Sequence, residues 1–237
     1  MVPTGIAELR RSLRLHASQT DARFLQRFFK TGPGQNAEGD RFLGVRVPAT
    51  RAVARTGRGM PFGKLSALLR SKWHEERLLA LIMLGDAHSK ADEATREAIL
   101  RMYLENTAHI NNWDLVDTSA PGIVGPHIDP ARPLLLQRLA RSRDLWERRI
   151  AIVATLHWIR LAELRPTFKI ATMLVDDSHD LIHKATGWML REAGKQDREA
   201  LEGFLRLHCR TMPRTMLRYA IERFPPSVRK RYLAGDA

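Results

Sequence analysis

In the stretch NNWDLVD, Trp113 and Asp117 stand four residues apart, so on a helix their side chains share a face. A large apolar ring and a carboxylate want different surroundings, one a core and the other water. A face that carries both suits the wall of a site, and the chemistry on offer is that of a carboxylate held beside an apolar surface. Asp114 has a simpler use. If Asn111 caps the helix, Asp114 falls at the third helical position, where an anion suits the free amides and the helix dipole; Asn112 is the other natural cap. Asp117 lies too far in for capping, and a surface ion pair is the competing use for it.

Two further positions stand out. Glu76–Ile82 (ERLLALI) and Glu147–Val153 (ERRIAIV) align, with Glu, Arg, Ala and the apolar places coinciding, but Arg149 falls where the sister segment has Leu78. A guanidinium at an inward or ridge position suits either a groove-facing contact or an arginine that snorkels to water. Trp188 follows Gly187 in ATGWMLRE; a glycine inside a helix points to close approach by a neighbouring helix or a ligand. Trp73, Trp146 and Trp158 have no such companion and read as packing residues. Metal and nucleophile chemistry find little support. His179 and His183 are four apart, but there is no His-Glu-x-x-His, no Gly-x-Ser-x-Gly and only one cysteine, Cys209.

The elements that must hold these residues are helices. Apolar residues recur near every 3.6 positions in IAELRRSLRLHA, EERLLALIMLG, TREAILRMYLEN, LWERRIAIVATLHWIRL, DLIHKATGWMLREAG and RTMLRYAIERF, separated by short Asp, Ser, Gly and Pro punctuation. No segment alternates with period two, so strand content should be near nil. Ala151, Ala185 and Ala220 recur about every 35 residues, the range of helical-pair repeats, where a small side chain lets two helices cross closely. This predicts an all-α chain, an α-solenoid of stacked helix pairs, forming one domain over residues 1–237. One segment breaks the rhythm: Lys30 to Pro48, with its glycine-rich part at about 31–40, reads as a loop. It lacks the Gly-Lys-Ser/Thr of a P-loop, and a plain surface loop is favoured over a phosphate cradle.

The charge is one-sided. Lys and Arg total 39 against 26 Asp and Glu, a formal +13 with no offsetting acidic tail, which favours a polyanionic partner through phosphate contacts. No run approaches the length of a membrane span, and the N-terminal stretch is charged throughout, unlike a secretory signal, so the expected compartment is the cytoplasm.

NNWDLVD, ERRIAI and KATGWMLRE, in that order, resemble the AlkD-type alkylpurine DNA glycosylases, the DNA alkylation repair family, and the likeness runs from about Phe24 to about Phe224. The resemblance implies a HEAT-like repeat solenoid whose basic concave face holds duplex DNA. It implies a catalytic Asp117, lesion-flanking Trp113 and Trp188, and a phosphate-directed Arg149, with Arg148 beside it among the DNA-binding residues. An aromatic near the lesion falls to Phe28 or Phe29. The segment Thr31 to Asp40 is shorter or missing in some members. The implied activity is hydrolysis of the N-glycosidic bond of cationic N7- or N3-alkylated purines in duplex DNA, without base flipping, by a monomer that uses neither metal nor organic cofactor and meets the nucleoid only through DNA. The alternative is a non-catalytic HEAT-like module that binds damaged or branched DNA.

Overall fold

The computed structural model describes residues 5–235, and the chain divides into two units, 1–123 and 124–237. In the first unit run α1 (Ile6–Arg14), α2 (Gln19–Phe28), α3 (Val47–Thr56), α4 (Ser66–Leu69), α5 (His74–Lys90), α6 (Glu93–Glu105) and α7 (Trp113–Ile123). Helix starts follow the polar punctuation: Ser18 Oγ accepts from the Asp21 amide ahead of α2, and the Asp92 side chain accepts from the Thr95 amide ahead of α6. Helices α3, α5 and α7 pack in succession, with α4 and α6 against α5. Accordingly α5 is buried on every side from His74 to Leu81, its four leading polar residues included.

The segment between α2 and α3 is not the plain surface loop expected from its glycines. Ala37, Asp40, Phe42 and Val45 are buried in it. Gly44 is the position that fixes its path. Its φ is +79°, and a Cβ there would lie 2.0 Å from the Ser18 carbonyl oxygen and 2.6 Å from the Ala22 amide nitrogen. Only glycine permits that approach to the start of α2. Glu75 then completes the turn: its carboxylate accepts from the amides of Leu43, Gly44 and Val45 at 2.9, 2.8 and 3.1 Å.

The second unit holds α8 (Leu134–Ala140), α9 (Leu145–Val153), α10 (Leu156–Ile159), α11 (Arg165–Leu174), α12 (Asp180–Gln196), α13 (Arg198–His208), α14 (Arg214–Ala220) and α15 (Pro226–Ala234). Here α9, α12 and α14 pack in one layer, with α8 against α9 and α11 and α13 against α12. Gly187 lets α12 and α14 meet: a Cβ on it would sit 2.5 Å from both the Met216 carbonyl oxygen and Tyr219 Cβ. The close approach foreseen at Gly187 is therefore that of a helix. Trp146 is buried, and half-buried Trp158 donates its indole N–H to the Gly125 carbonyl at 3.0 Å, so both are packing residues as expected.

Repetition extends beyond the apolar pattern into hydrogen bonds. Ser71 Oγ accepts from the Trp73 amide and the Ser71 carbonyl from Arg77; Ser142 Oγ accepts from the Asp144 amide and the Ser142 carbonyl from Arg148. A third copy has Asp177 accepting from the His179 amide and, through its carbonyl, from His183. These bonds align Arg148 with His183, one residue later than the alanine register of Ala151 and Ala185. Among the described residues there is no strand, only an isolated bridge between Arg41 and Trp73, and no helix is long and apolar enough to cross a membrane.

Candidate active site

Asn112 flanks α7, its side-chain oxygen accepting from the Trp113 amide at 2.8 Å, so Trp113 opens the helix and Asp117 follows one turn later. The face shared by these two residues lines a pocket of about 570 Å³. Its apolar wall comes from Phe24, Phe28 and Phe29 at the end of α2, Phe42 of the loop, Val47 and Pro48 of α3, and Leu78 of α5. Phe29 stacks on Trp113 (centroids 5.1 Å, 26°) and on Phe42 (5.1 Å, 14°), and is 8% exposed. Phe28 meets Trp113 edge-on at 5.9 Å and remains 55% exposed. Of the two aromatics expected near the lesion, Phe29 thus belongs to the core, and the Phe28 ring stays exposed at the pocket.

Below this wall lies a charged network that sequence reasoning missed. His74, 2% exposed, donates Nδ1–H to Asp40 at 3.1 Å and Nε2–H to Asp114 at 2.8 Å. Arg77 binds the other Asp40 oxygen at 2.6 Å and the Asn111 side chain at 3.1 Å. Burial pushes the His74 pKa down, but the charge and hydrogen bond of Asp114, helped by the bond to Asp40, more than offset it and lift it to about 9. The ring is therefore an imidazolium at neutral pH, and it stacks on Phe42 at 4.6 Å. Burial acts to raise the Asp40 carboxyl, yet the His74 hydrogen bond and the Arg77 charge hold it below the usual carboxylate range. Two cations face two anions, so the buried set is close to neutral.

Asp114 is a structural residue, as its position suggested, but its main partner is His74 rather than the helix end alone. Asp117 lies on the pocket wall, half-buried, and its charge is felt at the buried Tyr103 phenol, which burial pushes up and Asp117 pushes further. The signal for the network was present in the sequence: His74-Glu75-Glu76-Arg77 directly precedes an all-apolar stretch of helix. Once that helix is enclosed, four polar residues on one turn cannot all reach water. Glu75 instead holds the loop amides, and Glu76 binds Arg10 and Arg14, both at 2.8 Å.

The remaining sequence-derived residues lie in the second unit. Trp188 is half-buried on α12. Arg149 is not a surface residue: it is 5% exposed and donates to the Leu181 carbonyl at 2.7 Å. Arg148 is held by Asp177 at 2.6 Å and by the carbonyls of Ser142 and Arg143. Both arginines, expected at phosphates, thus also donate inside their own unit.

Fold and pocket together define an all-α protein of stacked helix pairs with a large arginine surplus and an aromatic-walled pocket that carries a carboxylate. The chain belongs, more particularly, to the DNA alkylation repair enzyme family, whose model matches residues 9–224. A solved structure described as a predicted DNA alkylation repair enzyme from Enterococcus faecalis is similar, with 16% identity and a TM-score of 0.69 over 89% of this chain and 98% of that one. That likeness is one of fold, and it agrees with the expected all-α class of stacked helix pairs. No curated protein matches the chain.

Proposed function

We propose that the protein is a monofunctional DNA glycosylase that releases cationic N7- or N3-alkylated purines from duplex DNA. The observation that carries this reading is Asp117, half-buried on the wall of a largely apolar pocket to which four phenylalanines and Trp113 contribute rings. An alkylated purine is already a good leaving group because it carries positive charge. Breaking its bond to C1′ returns the electron pair to the base and leaves an oxocarbenium ion on the deoxyribose. The Asp117 carboxylate stabilises that ion, orients the water that adds to C1′ and takes the proton that the water loses. The ring faces of Trp113 and Phe28 favour a cationic group and exclude water around it. The lesion is taken within the stack, and Trp188 is proposed as a second lesion-flanking ring.

Single-turnover release of N7-methylguanine from a defined duplex tests this. Asp117→Asn removes charge and little volume, so release should fall about 100-fold or more while duplex affinity holds. Equal rates for wild type and variant would remove Asp117 from the chemistry. Tight duplex binding without release by either protein would favour a DNA-binding module.

A further inference from the structure

A second concavity lies beside the aromatic pocket in the same unit. It has a volume of about 380 Å³ and is lined by α3, α5 and α7. Its α3 wall carries Arg51 and Arg55, with Arg58 just past the helix end, spaced at intervals of four and three residues. That face begins at the aromatic pocket, where Val47 and Pro48 form part of the wall, and Arg51 is one turn beyond Val47. The α7 wall is shared too: Thr118, next to Asp117, lines both concavities, and Gly122 continues the trough one turn on. A Cβ at Gly85 or at Gly122 would meet nothing within 4 Å, so the floor is open at both.

The three arginines differ in what they already hold. Arg58 is 3.4 Å from Asp86, which Lys90 also binds at 2.8 Å. Arg51 and Arg55 are exposed and have no side-chain hydrogen bond or ion pair among the described residues. Two uncompensated guanidiniums about 6 Å apart along a helix axis form a binding surface for a chain of phosphodiesters.

We propose that Arg51 and Arg55 grip consecutive phosphates of the lesion-bearing DNA strand, with α3 as a rail leading from the trough to the pocket that holds Asp117. The inference rests on the glycosylase reading for the identity of the strand and on the geometry for the contact. Arg58 steers rather than grips, because Asp86 offsets its charge.

The test uses the full chain and a fluorescein-labelled duplex carrying one N7-methylguanine, titrated by anisotropy over a series of KCl concentrations. Arg51→Gln/Arg55→Gln should flatten the slope of log K against log salt by about 1.8, some 0.9 for each lost phosphate contact. The melting temperature should not move, since neither side chain is buried. Arg101→Gln, on α6 and outside the trough, should leave the slope near that of wild type. Methylphosphonates placed singly along the lesion strand should weaken wild type but not the double variant at two adjacent positions. An unchanged slope, or cancellation only on the complementary strand, overturns the rail. Base release by wild type with an unchanged slope sinks the rail and leaves the glycosylase standing. A flattened slope without base release keeps the phosphate contacts and sinks the glycosylase.

Discussion

Raising the pH should weaken the first unit through one buried ring. His74 has a folded pKa of about 9 against an ordinary 6.5, so between those values the folded protein holds a proton that the unfolded chain has lost. Stability therefore falls as pH rises. The contribution is fully present below about 6.5 and is lost through about 9. A shift of that size corresponds to roughly 3 kcal/mol, which for a chain of this length lowers the melting temperature by about 6–12 °C. Urea unfolding at several pH values, followed by circular dichroism, measures it. His74→Gln serves as the comparison: it is less stable at every pH because Asp40 and Asp114 lose their shared partner, but its stability should change little over this window. If wild type and variant show the same pH slope, or if the His74 ring titrates near 6.5 by NMR, the doubly paired imidazolium is refuted.

Other substitutions separate scaffold from site. Gly44→Ala forces a Cβ against the Ser18 carbonyl at a positive φ and should cost more than about 2 kcal/mol in urea unfolding; a change within about 0.5 kcal/mol would show that the loop yields. Arg149→Ala removes a buried donor from the Leu181 carbonyl and leaves a cavity, and should cost about 1–3 kcal/mol while leaving the salt slope of DNA binding unaltered, whereas a slope smaller by about one would put Arg149 on a phosphate after all. Phe28→Ala removes a ring that is 55% exposed, so the melting temperature should drop little and base release should slow clearly. A large melting loss with proportional inactivity would return Phe28 to the core.

The helical class and the face shared by Trp113 and Asp117 were legible because both are local. A 3.6-residue period and a four-residue spacing need no knowledge of what lies across the fold. The partners of Asp40 were not legible: His74 is 34 residues away and Asn112 is 72, and no periodicity links them. Glycines suggested a solvent loop, yet Glu75 and Phe42 turn that segment into part of the core. The +13 charge pointed to a polyanion but could not say which arginines are available. Arg10, Arg14, Arg77, Arg148 and Arg149 are engaged inside the protein, while Arg51 and Arg55, which no motif singled out, are not.

The three amides held by Glu75 also bear on the order in which the molecule assembles. Leu43, Gly44 and Val45 lie 30 to 32 residues from the carboxylate that receives them, and Asp40 reaches further still, to the residues leading into α7. Closing those long loops pays only once α5 and α7 are docked. The segment that completes the aromatic wall therefore depends on α5 and α7 for its place. Until it arrives, Trp113 and Asp117 share a helix face but have no pocket around them.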